Sequence, residues 1–466
     1  MKETMKPTFS RCRLILSLVA LLLAACANAP QQLDTDHPPI VFVHGNGDSA
    51  ALWMTTIWLF ESNGWPHERL FALDLPYPNM RTADDKAQEG RTSSAEHMQF
   101  LAAQVEQVRR VTGFDKVVLM GNSRGGYAIR DYVKNGGGAE KVSNAILGST
   151  PNHGWFASTD YRPTRESNAL GPLLSGLNIP QGPNGEEVTP GVKWMTIRSD
   201  TNDWAAQPVW LSGPLKGKST GVSYDSPALK GAENIVLPGI DHGEASFSPL
   251  AFAEAFRSIT GRAPRTMYAT AQSRVALSGK VFGVGLNNDP ATGDFENNLP
   301  LVGSTVEVYK LNTSNGERLG VPILKQIIGN DGRWGPIETD SNSALEFVIA
   351  AARYPVTHIY SSPFSRSSDI VHLQDRVFAK EDEQAGAVVI MSRPRGFFSA
   401  LRDKMSFDGI SPPPGINPGV ASKNSSTLRL DGAASRPISA QLNDERVTGR
   451  TWQRRENHLV VLELQQ

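Results

Sequence analysis

The segment Lys116-Val117-Val118-Leu119-Met120-Gly121-Asn122-Ser123-Arg124-Gly125-Gly126 constrains the fold of this chain more than any other. Four consecutive apolar residues suit a strand buried on both faces, the situation inside a parallel sheet covered by helices on each side. The strand runs straight into a serine framed by glycines and then into a helical segment. Such a turn is too tight to hold a side chain at Gly121 or Gly125 without collision. It lifts the Ser123 hydroxyl above the sheet edge and turns the first N–H groups of the following helix towards any oxygen beside it. Gly-x-Ser-x-Gly alone is a common pattern, and an ordinary glycine-rich turn is the competing reading, so the surrounding elements decide.

Those elements alternate. Pro39-Ile40-Val41-Phe42-Val43-His44-Gly45-Asn46-Gly47 is a second continuous apolar strand breaking into glycines. A helix follows over about 49–63, stopped by Gly64, and Leu70 to Leu73 reads as the next strand. Ser93 with Glu96 three residues on forms a capping box, and Met98, Leu101, Val105 and Val108 share one helical face before Gly113. Beyond Ser123 come a helix over 127–134, strands over 142–147, 193–198 and 235–238, and a last helix. Ser248 caps that helix, Pro249 opens it, Phe252, Phe256 and Ile259 form its buried stripe, and Gly261 ends it. This alternation specifies a doubly wound, mostly parallel α/β sheet.

Element order and elbow together resemble the α/β-hydrolase fold over roughly residues 38 to 262. The resemblance implies a serine hydrolase whose acid and histidine follow later strands. After 193–198 the chain reads Ser199-Asp200-Thr201-Asn202-Asp203-Trp204, and after 235–238 it reads Gly239-Ile240-Asp241-His242-Gly243. A hydroxyl is a poor nucleophile until a base takes its proton, and the imidazole needs a carboxylate to fix its tautomer and balance its charge. Of nine histidines, His242 alone occupies the expected loop. Asp203 is placed as in small single-domain bacterial lipases and is the expected acid, with Asp200 the alternative; the other of the pair would hold an Asx turn. Asp241 is disfavoured because adjacent loop side chains seldom face each other. The same resemblance implies an oxyanion hole from the N–H groups of Asn46 and Arg124, each donor contributing about 3 to 4 kcal/mol, with His44 bracing the loop.

Between strands 142–147 and 193–198 lies an insertion over about 150–191, opening Ser149-Thr150-Pro151-Asn152-His153-Gly154-Trp155-Phe156. Placed over the sheet edge, it reads as a fixed or mildly mobile cap. Leu170, Leu173, Leu174 and Leu177 within it are candidates for the substrate wall.

Past about residue 265 the grammar changes to short strands with turn signals, and residues 271–466 read as an all-β sandwich or barrel. Val275 to Val281, Ser304 to Leu311, Leu345 to Ala350 and Thr357 to Tyr360 are strands, and Asn315-Gly316 and Asp331-Gly332 mark hairpins. The stretches Leu301 to Tyr309, Asp331 to Trp334 and Leu345 to Phe347 look like a transthyretin-type sandwich. A hydrolase followed by such a β-domain resembles two-domain prokaryotic lipases. That resemblance would put Phe397, Phe398 and Leu401, beside Arg393, Arg395 and Arg402, against lipid. Core aromatics under solvated arginines are the favoured alternative.

The chain's 466 residues suit two domains. With 46 Lys plus Arg against 47 Asp plus Glu, no global field draws it to nucleic acid. Residues 1–25 read as a signal peptide, basic and then apolar, too short to span a bilayer. Leu23-Ala24-Ala25-Cys26 resembles a lipoprotein lipobox, so Cys26 is the expected lipidation site, residues 26–37 the tether, and the outer membrane the expected location. Cys12 lies in the leader, leaving no disulfide in a mature chain. No metal-ligand cluster or nucleotide loop is present in the sequence, so no metal or cofactor is expected, nor an obligate protein partner. The expected partners are an ester substrate and the membrane. The leading function is a lipase or esterase acting on acyl esters. The alternatives are a polyhydroxyalkanoate-type depolymerase and a non-catalytic binding protein on a hydrolase scaffold.

Overall fold

Strands β1 (Ile40–Val43), β2 (Leu70–Ala72), β3 (Val117–Asn122), β4 (Val142–Gly148), β5 (Lys193–Ser199) and β6 (Glu233–Leu237) form one sheet in the order β2-β1-β3-β4-β5-β6, in the computed structural model of the protein. The structure describes Met1 and residues 37–283, 297–432 and 434–466. Cys26 and the expected leader lie outside the described residues. Every pair in this sheet is parallel, and β1 and β3 are buried along their whole lengths. Their side chains alternate between two cores, as strand geometry requires. Phe42, Met120, Ile146 and Met195 point to one face, where they join Phe60, Phe252 and Phe256. Val41, Val43, Leu119, Ala145 and Leu147 point to the other, with Leu101, Val105, Val108 and Ile129. Helices Met54–Ser62 and Pro249–Thr260 cover the first face, and Ser94–Thr112 and Arg124–Asn135 the second. The expected capping box forms: the Ser93 hydroxyl accepts from the Glu96 N–H while the Glu96 carboxylate accepts from that of Ser93.

The boundaries shift where burial is asymmetric. The helix read over 49–63 divides into a 3-10 turn, Ala50–Trp53, and the helix Met54–Ser62, because Trp53 breaks from helical dihedrals. Strand β6 begins at Glu233 rather than Ile235. It is an edge strand with exposed residues, so its apolar signal covers only part of its length.

The second region contains β7 (Val275–Phe282), β8 (Thr305–Lys310), β9 (Leu324–Ile327), β10 (Arg333–Thr339), β11 (Leu345–Ala350), β12 (Val356–Ser361) and β13 (Leu373–Gln374). It continues with β14 (Ala387–Ser392), β15 (Met405–Phe407), β16 (Ser425–Leu430), β17 (Pro437–Leu442), β18 (Glu445–Arg450) and β19 (His458–Glu463). A seven-stranded sheet, β16-β14-β19-β12-β11-β8-β9, lies between two three-stranded ones, β10-β7-β13 and β15-β17-β18. Strand β19 runs parallel to both neighbours at the centre of the large sheet. Its Leu459 and Val461 face Val275, Leu277 and Trp334, and its Val460 and Leu462 face Ile438, Ala440 and Leu442. Burial on both faces is why the chain ends in an unbroken apolar run rather than an alternating one.

Asn315-Gly316 lies in the loop joining the antiparallel pair β8 and β9. Asp331-Gly332 does not make the expected hairpin. It turns the chain out of the large sheet, so that β10 pairs with β7 instead of β9. Hairpin chemistry specifies a reversal, and long-range packing chose the partner.

The two regions share one core. The cluster holding Phe42 and Phe252 runs on through Val275, Trp334 and Phe347 to Val461, and Pro39–Gln466 forms one compact unit. Polar ties reinforce it: Asp74 at the end of β2 accepts from Lys280 Nζ at 2.6 Å and pairs with His372 at 3.2 Å.

Candidate active site

Ser123 stands between β3 and helix Arg124–Asn135 with φ 49° and ψ −117°, a conformation L-residues seldom hold unless the surroundings over-determine it. The surroundings do so through contact. A Cβ on Gly125 would fall 2.3 Å from the Val43 carbonyl oxygen, and one on Gly121 would fall 2.9 Å from the Gly126 nitrogen. The Ser123 N–H donates to the Gly148 carbonyl at 2.8 Å, and the Thr150 hydroxyl donates to the Ser123 carbonyl at 3.0 Å.

The loops after β5 and β6 bring Asp203 and His242 together. His242 Nδ1 and Asp203 Oδ1 are 2.7 Å apart, and both side chains are buried. Burial disfavours a charged imidazole, but the charge and hydrogen bond of Asp203 outweigh it, so His242 is held above the ordinary histidine pKa. Asn122 Nδ2 donates to the His242 carbonyl at 3.2 Å, which joins the elbow to the histidine loop. Asp200 has a different part: its carboxylate accepts from the N–H groups of Thr201 at 2.6 Å and Gly239 at 3.0 Å, holding the turn. Asp241 faces away from the imidazole and accepts from the N–H groups of Gly243 and Glu244.

The loop after β1 lies against Ser123: a Cβ on Gly45 would come 2.7 Å from Asn122 Oδ1 and 3.2 Å from Ser123 Cβ. His44 braces this loop. Its Nε2 accepts from the Leu75 N–H at 3.1 Å while Nδ1 donates to the Gly45 carbonyl at 2.9 Å, and burial lowers its pKa to about 4, so it is neutral. Asn46 is fixed by its side chain, Oδ1 accepting from the Met80 N–H at 2.7 Å. Arg124 is the first helical residue, where the N–H has no intrahelical acceptor. Its guanidinium is buried and paired with Glu166 at 2.6 Å, and it also donates to the carbonyls of Pro78 and Thr92. Glu166 has no sequence signature; an isolated acid inside the 150–191 insertion shows its role only when its partner is known.

A cavity of about 370 Å³ opens over Ser123 and His242. Asn46, Arg124, Trp155 and Trp204 are among its walls, and so is Phe397 from the second region. Trp204 and Phe397 both lie against the His242 ring, with centroids 5.2 and 6.4 Å away.

The four leucines of the insertion are not in that wall. Leu174 and Leu177 pack beneath the cap against Tyr127, with Leu173 beside them, and Leu170 is 57% exposed. The cap helix Pro172–Leu177 turns its apolar side down because helix Arg124–Asn135 holds it there. Arg130 donates to the carbonyls of Asn152 and Leu177, and Lys134 to that of Gly176. The insertion contributes Pro151, Trp155, Arg165 and Ser167 to the cavity instead.

Neither sequence-based reading of the arginine-aromatic stretch survives intact. Phe398 is core, as in the second reading, but Arg393 and Arg395 are buried rather than solvated, and only Leu401 and Arg402 of the six are exposed. Arg393 pairs with Asp241 at 2.6 Å and Glu244 at 2.7 Å, and Arg402 also pairs with Glu244. This locks the second region onto the histidine loop. Among the described residues no group of three or more His, Cys, Asp or Glu side chains is arranged to hold a metal ion, and no helix is long and apolar enough to cross a membrane.

Sheet order and elbow define an α/β-hydrolase-type fold followed by a strand-rich C-terminal domain. An alpha/beta hydrolase fold family model matches residues 38–184, and a lipase C-terminal domain model matches residues 273–377. Solved structures similar to the chain include Aspergillus fumigatus lipase B, at 16% identity and a TM-score of 0.35 over 52% of this chain and 57% of that one. The chain thus spans little more than half of that lipase. Bacillus licheniformis lipase BlEst2 in its propeptide form is 13% identical with a TM-score of 0.36, over 70% of this chain and 92% of that one. Bacillus subtilis carboxylesterase CesB is 13% identical with a TM-score of 0.28, over 50% and 86%. None of these similarities assigns an activity to the chain.

Proposed function

We propose that the chain is a carboxylester hydrolase of the lipase/esterase type, with Ser123 as nucleophile, His242 as base and Asp203 as the group that orients it. The observation that carries this reading is the buried His242–Asp203 pair at 2.7 Å opening on the same cavity as the strained Ser123. His242 Nε2 takes the hydroxyl proton as Ser123 Oγ attacks the ester carbonyl, and the N–H groups of Asn46 and Arg124 receive the oxyanion. The proton passes to the departing alcohol, leaving an acyl-enzyme. Water then repeats the sequence and releases the acid. Asp203 holds the imidazole in the tautomer with Nδ1 protonated, so Nε2 is free to accept.

Ser123→Ala should abolish hydrolysis of p-nitrophenyl butyrate with the circular dichroism spectrum unchanged. Retained turnover would refute the assignment. Fluorophosphonate labelling separates this reading from a non-catalytic scaffold, which would stay unlabelled. Anchoring to the outer membrane through acylated Cys26 is part of the same proposal: an alkyne fatty acid should label the expressed chain but not Cys26→Ala, and label in the variant would refute it.

A further inference from the structure

The cavity over Ser123 has in its wall a guanidinium that forms no ion pair among the described residues. Arg395 lies in its wall and is 6% exposed. Its Nη2 donates to the main-chain carbonyl of Gln465 and, at 2.8 Å, to that residue's amide oxygen. Both acceptors are neutral, and Nε has no acceptor. Arg393, two positions earlier, is matched by two carboxylates; among the described residues Arg395 forms no ion pair.

Glu463, Glu445 and Asp48 act on it from beyond ion-pair distance. Glu445 is taken by the Ser362 hydroxyl and the N–H groups of Gln465 and Gln466. Glu463 lines the cavity as well, and burial pushes its carboxyl above the ordinary range against the pull of Arg395. Arg376 lines the same space, as do Arg165 and the Glu166-paired Arg124. Arginine does not give up its proton in proteins, so the Arg395 guanidinium stays charged while its Nε lacks an acceptor.

The backbone of Arg395 is packed against the histidine loop. A Cβ on Gly243, the residue after His242, would lie 2.1 Å from the Arg395 carbonyl oxygen. Ile359, Phe364 and Val461 give the cavity an apolar stretch as well. Its volume of about 370 Å³ lies towards the small end of ligand pockets, which run from about 300 to 1,000 Å³.

We propose that this cavity takes short esters carrying a second, anionic carboxylate group, which Arg395 receives with Arg376 adding to the positive field. The proposal rests on the esterase reading above and narrows its substrate class, from neutral lipid esters to esters of the size and charge of a hydroxy-acid dimer. The planar guanidinium suits a carboxylate, and the ligand would give Arg395 a paired carboxylate and its Nε an acceptor.

Matched pairs test it. 3-(Butyryloxy)butanoate against its amide places the carboxylate on the alcohol side, and mono-p-nitrophenyl glutarate against p-nitrophenyl valerate places it on the acyl side. In at least one pair the wild-type kcat/KM should favour the anion by about tenfold or more, the worth of one hydrogen bond to a charged group. Arg395→Gln should bring that ratio to near one. Because a buried arginine can be needed for folding, the wild-type protein alone supplies a second measurement: glutarate should compete with p-nitrophenyl butyrate and glutaramide should not. Neutral esters hydrolysed as well as their anionic partners in both pairs, or equal competition by the two additives, would overturn the carboxylate subsite alone. No turnover of any ester together with no fluorophosphonate label on Ser123 would overturn the esterase reading, and this proposal with it.

Discussion

Asp203→Asn separates the three aspartates near His242 and has a magnitude that follows from the geometry. Asp203 Oδ1 lies 2.7 Å from His242 Nδ1, and both groups are buried. Opposite charges about 4 Å apart at an effective dielectric of about 20 attract by about 4 kcal/mol. At 1.36 kcal/mol per power of ten, losing that stabilisation of the imidazolium costs about a thousandfold in rate. An asparagine amide can also donate to Nδ1, which favours the tautomer with Nε2 protonated and removes the base facing Ser123. The combined loss should be about a thousandfold to ten-thousandfold in kcat. The acid limb of kcat/KM should move as well. His242 must be neutral to accept a proton, and Asp203 raises its pKa, so removing the carboxylate should shift that limb to lower pH. A pH-rate profile with p-nitrophenyl butyrate measures both effects. Asp200→Asn is the control: it weakens a turn held by Gly239 and Thr201 and should leave the rate within about tenfold. The reasoning fails if Asp203→Asn stays within tenfold of wild type or if Asp200→Asn loses more.

Arg393→Met should leave Asp241, which is 0% exposed, only the longer 3.8 Å contact with Arg402 and cost about 3 kcal/mol; a change below about 1 kcal/mol in urea unfolding would contradict the buried pair. Gly125→Ala forces a Cβ to within 2.3 Å of the Val43 carbonyl and 2.7 Å of that of His44. Both are backbone atoms with little freedom to move, so fluorophosphonate labelling should collapse and the melting temperature fall, whereas a variant unchanged in both would refute the close approach. Burial alone would raise the pKa of Asp74, but the charges of His372 and Lys280 overcome it and hold the carboxyl far below its ordinary value. Its stabilisation is therefore full above the unfolded-state value of about 3.9 and is lost as pH falls below that. Asp74→Asn should flatten the decline of the urea midpoint between neutral and acid pH, and parallel declines would contradict the tie.

The first sheet was readable because its determinants are local. Val117 to Met120, the glycines around Ser123, and the Ser93–Glu96 box each specify their backbone within a few residues. The chain order of an acid and then a histidine pointed to loops 199–204 and 239–243, and the structure pairs residues from those loops. Asp203 and Asp200 lie three positions apart in one loop, and only side-chain direction separates them. The leucines of the insertion misled because an apolar cluster near a site shows that it is buried, not against what. Their partner, Tyr127, lies on a helix some fifty residues earlier.

What the second region contributes could not be read from the sequence. Arg393 and Arg395 are alike there, two cations flanking a proline; in the fold one is paired with Asp241 and Glu244 and the other faces the cavity without an ion pair among the described residues. Periodicity, caps and turns act over a few residues, and they determined the α/β sheet, the elbow and the strand-rich character of residues 271–466. Tertiary structure decided that β19 lies between β12 and β14, that Phe397 meets His242, and which charges find partners. Those outcomes depend on contacts between groups up to hundreds of residues apart, whose energies exist only once both cores have formed.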